Sequence, residues 1–282
     1  MNKIAWLASY PKSGNTMIRA FLSVYITGMM LDLNNINGSM GDTDGFYFES
    51  LLGKPVKDVT VEDRLLVRPA ALYAMSQTLP FDPVIVKTHW LRGVVCGMPT
   101  IPEPITKSAI YIVRDPRAVA PSYAKHMGLS LDDAIKSMTD KENALMQEDG
   151  QLRTVLSSWN DHVLSWSQGE APYPTSVIRY EDIIDNREWA HKNIIKAFGL
   201  PFREKPFEIS LQQSSLDHMR ALERKTGFKE QSGKEAQFDG NQTFFTHGNN
   251  EGWRSKLTAA HVKKIESNSK EAMDLLGYDR DS

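Results

Sequence analysis

The sequence predicts an α/β fold, a parallel β-sheet flanked by helices in a three-layer sandwich that runs as one domain over residues 1–282. Three observations carry this expectation. Short apolar runs alternate four times with stretches of helical spacing, the pattern of a parallel sheet with helices on both faces. Each apolar run ends in a polar cluster: Lys12-Ser13-Gly14, Lys87-Thr88-His89, Arg114-Asp115-Pro116 and Tyr180-Glu181-Asp182. Ligands of open parallel sheets bind beyond the carboxyl ends of the strands, so the four clusters build one site. The composition, 41% hydrophobic and 24% charged, is that of a soluble globular chain.

Ile4 to Ser9 is an apolar run that stops at a Pro-Lys-Ser-Gly turn and reads as a buried strand. Met17, Ala20, Phe21 and Val24 recur at helical spacing between Thr16 and Ile26, and Gly28 closes that helix. Residues 31–57 are rich in Asn, Gly, Asp and Ser and read as loop with short helical pieces. Asp63 to Thr78 reads as a helix interrupted at Pro69. Pro83 to His89 is the second strand and Ala109 to Val113 the third, followed by a helix from Arg117 towards His126. Leu131 to Met138 and Leu152 to Gln168 read as helices, the latter with Trp159, Val163 and Trp166 as core residues. Thr175 to Tyr180 is the fourth strand, and Glu188 to Phe198 a helix stopped by Gly199 and Pro201. Residues 225–252 are rich in Gly, Lys, Gln and Asn, with Phe238, Phe244 and Phe245 as anchors, and are expected to form a mobile loop over the site. A C-terminal helix over about 258–276 closes the chain.

Charge and cysteine content exclude several classes. The 33 basic and 35 acidic residues give a net charge of −2, which favours neither nucleic acid nor an anionic membrane as partner. A single cysteine, Cys96, excludes an intramolecular disulfide and a Cys-rich zinc site, and reads as a small buried residue. The N-terminus is too quickly interrupted by polar residues for a signal peptide, and no apolar run spans a bilayer, so the expected compartment is the cytoplasm.

The segment Tyr10-Pro11-Lys12-Ser13-Gly14-Asn15-Thr16 lies between the first strand and its helix. Amides at a helix start are unsatisfied and favour an anion, which the helix dipole reinforces. Gly14 permits close approach of the backbone, Lys12 adds charge, and Ser13 and Thr16 add hydroxyls. This is not a Walker A loop, because the lysine precedes the glycine. By physics alone, a phosphate cradle and an ordinary capped turn with a surface lysine stay equally open.

The same segment resembles the 5′-phosphosulfate loop of the sulfotransferases that use 3′-phosphoadenosine 5′-phosphosulfate (PAPS), whose form is close to Tyr-Pro-Lys-Ser-Gly-Thr-Thr-Trp. Asn15 replaces the first Thr and Met17 the Trp. Lys87-Thr88-His89 resembles the family's Lys-Thr-His, Arg114 with Ser122 its 3′-phosphate pair, Tyr180-Glu181-Asp182 its adenine-side Tyr-Glu-Asp, and Gly248 with Gly252-Trp253-Arg254 its C-terminal glycine segment. The resemblance implies a P-loop-like scaffold and a soluble enzyme that transfers a sulfonate from PAPS to a hydroxyl or amine of a small-molecule acceptor, releasing PAP. It implies His89 as general base, Lys12 on the leaving group and Lys87 on the sulfonate, without a metal. The implied nucleotide-binding residues are Lys12, Ser13, Gly14, Asn15, Thr16, Met17, Arg114, Ser122, Tyr180, Ser214, Leu216, Thr246, His247 and Gly248. The remaining histidines, such as His126, His162 and His261, are expected at the surface or in packing.

Two departures bear on the expectation. Thr246-His247-Gly248 stands where the family has Arg-Lys-Gly, which leaves Arg114 a larger share of the 3′-phosphate. The segment from Arg254 to Lys263 only partly resembles the family's dimerisation motif, with its last charge reversed, so a monomer or weak homodimer is expected. The alternative activity is a nucleotide-dependent phosphotransferase, which requires an acidic magnesium ligand near a strand end, where Asp115 is the one candidate. A non-catalytic nucleotide-binding protein is the third reading, against which the Lys12, Lys87 and His89 set argues. The acceptor pocket is expected from residues 31–48, 127–147 and 225–245, with Phe46, Tyr47 and Phe48 as apolar lining.

Overall fold

The computed structural model describes residues 2–55, 58, 60–78, 81–145, 154–230, 244–245 and 252–281. In chain order the elements are β1 (Ile4–Ser9), α1 (Asn15–Thr27), β2 (Ser39–Gly41), α2 (Gly45–Leu52), α3 (Val61–Thr78), β3 (Val84–Thr88), β4 (Val94–Val95), β5 (Met98–Pro99), β6 (Thr106–Val113), α4 (Pro116–Met127), α5 (Leu131–Thr139), β7 (Ala144–Leu145) and β8 (Thr154–Val155). There follow α6 (Trp159–Ser167), β9 (Thr175–Arg179), α7 (Tyr180–Asp185), α8 (Arg187–Ala197), α9 (Glu204–Gln213), α10 (Leu216–Thr226), α11 (Ala259–Asn268) and α12 (Lys270–Leu276).

The main sheet has five parallel strands in the order β2-β3-β1-β6-β9. Alternate side chains of its strands enter two separate cores. Ile4, Trp6, Ala8, Val84, Val86, Tyr111 and Val113 face one, with Met75, Trp159 and Met273 from the helices packed over them. Ala5, Leu7, Ile85, Ile110, Ile112 and Ile178 face the other, against Phe21, Ile194 and Phe207. Period-two alternation thus divides fully apolar strands between two helical layers, and each fully buried large side chain contributes about 1.5–3 kcal/mol. The register of β1 aligns Ala8 with both Thr88 and Tyr111, so the carboxyl ends of the three central strands finish side by side.

Several expectations change. Ser39–Gly41 adds a short, half-buried parallel edge strand within the expected loop. Pro69 lies inside a continuous α3 rather than interrupting it. The helix expected from Leu152 begins at Trp159: Thr154–Val155 pairs with Ala144–Leu145, Ser157 takes a left-handed φ of 59°, and Ser158 caps the helix on the Asp161 N–H. Tyr180 opens α7 instead of ending β9, and the C-terminal helix breaks at Ser269 into α11 and α12. Helices α9 and α10 occupy a stretch where no element is expected from sequence; Ser215 caps α10 and Gly227 ends it. Cys96 is exposed, in the positive-φ turn between β4 and β5. Most of the expected loop over 225–252, with Phe238, lies outside the described residues.

Candidate active site

The four polar clusters converge. Lys12 and Gly14 from the β1–α1 turn, Lys87 and His89 from the end of β3, Arg114 after β6 and Tyr180 after β9 line one cavity of about 500 Å³. Asn15, Thr16, Met17, Ser122 and Leu216 line it as well.

The β1–α1 turn carries two left-handed residues. Lys12 has φ 67°, unusual for a side chain other than glycine, and Gly14 has φ 99° at the N-cap of α1. A Cβ on Gly14 would stand 2.5 Å from Tyr180 Cδ2, so glycine is required by the Tyr180 ring as well as by its own backbone. Arg114 lies over the other part of this packing, its guanidinium carbon 4.4 Å from the Tyr180 ring centroid. The Asn15 amide donates back to Leu7 O at 3.1 Å and Ser9 Oγ at 3.2 Å, tying the helix start to β1. Buried Ser13 Oγ, Asn15 Oδ1 and Arg114 Nε have no hydrogen-bond partner among the described residues. Two of these, the Ser13 hydroxyl and Arg114 Nε–H, are donors, and beside the first amides of a helix they suit an anionic ligand.

His89 Nδ1 lies 2.7 Å from Ser9 O, a carbonyl that can only accept, so Nδ1 carries the proton and Nε2 keeps the lone pair. Burial, then the neighbouring Lys87 cation, holds the imidazole well below its usual range. The ring is therefore neutral and basic at Nε2 at physiological pH. The strand end is fixed from beneath: Thr88 Oγ donates to Asp42 Oδ2 at 2.6 Å, and Asp42 pairs with buried Arg68 at 2.7 Å. Lys87 is lowered by burial and then by Arg19.

Arg19 and His126 lie outside the expected set, whereas Leu145, Lys229, Glu230, Phe244 and Phe245 come from segments expected to form the acceptor pocket. Arg19 from α1 donates through Nη1 to Glu230 at 2.8 Å and 3.0 Å, and Glu230 faces the cavity with Lys229. Burial opposes ionisation of Glu230, but Lys87, Arg19 and Lys12 together hold its carboxyl below the usual range. Phe244 lies over Lys12 with 3.8 Å between Nζ and ring centroid. The backbone N–H groups of Phe244 and Phe245 both donate to the Glu223 carboxylate of α10. His126 and Leu145 also line the cavity. His126, expected in surface or packing, sits one turn beyond Ser122 on the same face of α4. That four-residue spacing was its signal, and Arg19 stands likewise four residues after Asn15. Glu230 and Phe244 fall within residues 225–245, a stretch expected to line the acceptor pocket.

Other expected residues lie elsewhere. Ser214 is fully buried outside the cavity, 3.4 Å from Arg187 Nη2. Thr246, His247 and Gly248 lie outside the described residues. Phe46 is exposed, and Tyr47 and Phe48 enter the core, so none of the three lines the cavity. Trp253 packs under the Arg117 guanidinium at 4.5 Å. Asp115 caps α4 and takes Arg117 on both carboxylate oxygens, which engages the acidic group that a magnesium-dependent phosphotransferase would need. His261 pairs with Asp132 in the capping box of α11, and His162 is fully buried.

The sulfotransferase domain model matches residues 3–277. The chain belongs to the sulfotransferase domain family. Solved sulfotransferase folds superpose along its whole length. Retinol dehydratase in complex with retinol and PAP is 18% identical, with 100% of this chain and 83% of that chain covered and a TM-score of 0.62. Retinol dehydratase with androsterone and inactive cofactor PAP is 18% identical, with 99% and 82% covered and a TM-score of 0.60. A mouse sulfotransferase complexed with PAP is 17% identical, with 98% and 88% covered and a TM-score of 0.58. By sequence alone no curated protein matches the chain significantly. The sulfotransferase domain here thus combines the family's P-loop-like sheet with a cavity at its carboxyl edge, and the chain is a transferase of sulfonate groups. Among the described residues no helix is long and apolar enough to cross a membrane, and no cluster of three His, Cys, Asp or Glu could hold a metal ion.

Proposed function

We propose that the chain transfers the sulfonate of PAPS to a hydroxyl or amine of a small-molecule acceptor, with His89 as general base. The observation that carries this reading is the neutral His89, its Nδ1–H fixed on Ser9 O, at the rim of a cationic cavity entered by Lys12, Lys87 and Arg114. The neighbouring folds crystallised with PAP supply the donor class.

Sulfonate transfer needs a proton acceptor on one side of sulfur and positive charge on the other. An acceptor O–H or N–H hands its proton to His89 Nε2 as its heavy atom bonds sulfur. The S–O bond to the departing phosphate breaks, and Lys12 with the first amides of α1 meets the charge left on that oxygen. Lys87 neutralises the transferring group. Arg114 and Ser122 hold the 3′-phosphate, and Tyr180 and Leu216 flank the adenine. Leu145, Phe244 and Phe245 give the acceptor side an apolar wall, suited to an apolar alcohol or phenol.

The test is a panel of phenols, alcohols, amines and glycans incubated with PAPS, with mass-spectrometric detection of an added sulfonate. Sulfonation of none of them, together with no thermal stabilisation by PAP, would refute the proposal, since a ligand of the folded state raises its stability.

A further inference from the structure

The base of this site rests on a buried polar chain that the reaction itself does not use. His162, on α6, is fully buried beneath the end of β3, and its Nε2 lies 3.1 Å from the carbonyl oxygen of His89. Its Nδ1 lies 2.8 Å from the hydroxyl of Tyr111, also fully buried, on β6. The direction of both bonds follows from their ends. The His89 carbonyl can only accept, so His162 Nε2 carries a proton. A neutral imidazole has one, so Nδ1 accepts and the Tyr111 O–H donates. A backbone contact from Tyr10 opposes, without cancelling, the effect of burial on the Tyr111 phenol. Burial holds His162 down to about 4 and Tyr111 well above its usual range, so the chain keeps this protonation through neutral pH.

We propose that Tyr111 and His162 are positioning residues for catalysis: Tyr111 fixes the tautomer of His162, and His162 fixes the backbone of the base-bearing residue. The neighbouring contacts agree with this role. Trp166, one turn further along α6, donates through Nε1 to Trp90 O at 3.0 Å, and Ser165 Oγ accepts from the Arg92 N–H at 3.2 Å. Helix α6 therefore holds residues 89, 90 and 92 in register from behind. The imidazole of His89 is clamped at its backbone by α6 and at Nδ1 by Ser9, so Nε2 has one direction to face. Without the His162 donor the His89 carbonyl is left buried and unsatisfied, and the turn relaxes away from Ser9. A displacement of about 1 Å at a reacting group costs up to about 10²-fold in rate.

This inference rests on His89 being the base, and its test separates the two. The full chain labelled with ¹⁵N-histidine gives imidazole tautomers by two-dimensional NMR, without any acceptor. The expected wild-type result is a single Nε2–H tautomer for His162 and a single Nδ1–H tautomer for His89. His162→Leu, and more weakly Tyr111→Phe, is expected to release His89 into a mixture of tautomers, whereas His162→Gln, which keeps a donor, retains the single form. With any acceptor found productive, His162→Leu should lower kcat by about 10–10²-fold at unchanged PAP affinity, and His162→Gln should restore most of it. An Nδ1–H His162 in the wild type overturns the proposal. So does a His162→Leu chain whose His89 keeps one tautomer, or one that loses PAP affinity in step with kcat, the mark of a collapsed site. If His162→Leu does not fold, the wild-type tautomer and Tyr111→Phe decide. Normal tautomers with an active His89→Ala chain would instead sink the base assignment and leave the clamp intact.

Discussion

Replacing Glu230 by Gln should make the chain bind PAP more tightly, although it removes an ion pair. The Glu230 carboxylate takes both contacts from Arg19 Nη1, and Lys87 and Lys12 act on it too. A nucleotide phosphate entering the cavity needs those cations, so the carboxylate must give them up. A hydrogen bond to a charged group is worth about 1.5–3 kcal/mol. The Glu230 side chain is 37% exposed, so solvent screening brings the cost of displacement to about 1–2 kcal/mol. At about 1.4 kcal/mol per decade this is roughly a 5–30-fold gain in PAP affinity for Glu230→Gln. Titration calorimetry of PAP against both proteins measures it, with adenosine, which lacks phosphates, as the ligand expected not to change. Raising the ionic strength should narrow the difference. Equal or weaker PAP binding by a Glu230→Gln chain of unchanged thermal stability would refute the reasoning, because the carboxylate would then not compete for the anion site.

His89→Ala should lower turnover by roughly 10²–10⁴-fold with little change in PAP affinity, measured by steady-state kinetics and calorimetry. Because burial and Lys87 depress His89, the acid limb of kcat/KM should fall below the ordinary imidazole midpoint; a limb at or above it would show that the base is not this residue. Gly14→Ala should lose PAP affinity and at least about 1–2 kcal/mol of stability from its left-handed backbone alone, and Tyr180→Ala should restore part of the stability by removing the clash at 2.5 Å, as thermal melts of the double variant would report. Arg114→Ala should cost about 2–5 kcal/mol in PAP affinity and much less for adenosine 5′-phosphate, compared by calorimetry. His162 and His191 sit near 4 when folded, below their unfolded value of about 6.5, so the unfolded chain binds more protons between these values. Stability should therefore fall as pH drops from about 6.5 towards 4, by on the order of 3 kcal/mol for each, which denaturant melts across that range would detect.

The central strands were legible because each holds an apolar run that stops at charge, as Ile4–Ser9 stops before Lys12 and Ala109–Val113, the second part of β6, before Arg114. The same stops marked most of the cavity wall. Elements whose identity rests on tertiary partners were not legible. Ser39–Gly41 has no apolar pattern and is a strand because Val86 offers it an edge. The start of α6 at Trp159 depends on Ser157 adopting a left-handed backbone, which no local rule requires of serine. Arg19 and His126 carried a helical-spacing signal, whereas the places of Glu230 and Phe244 are set by contacts distant in sequence, with Arg19 and with Glu223.

The way α6 fastens the base separates two tasks on the chain. Everything that aims His89 lies behind it, in β6, α6 and the end of β1, whereas Leu145, Lys229, Glu230 and Phe244 reach the cavity from other connections. Exchange of those front segments leaves the fastening of His89 untouched. On the function proposed above, a lineage, or an engineer, can therefore change which acceptor is sulfonated by rewriting the residues around Leu145, Phe244 and Phe245, while the fastening of His89 is inherited unaltered.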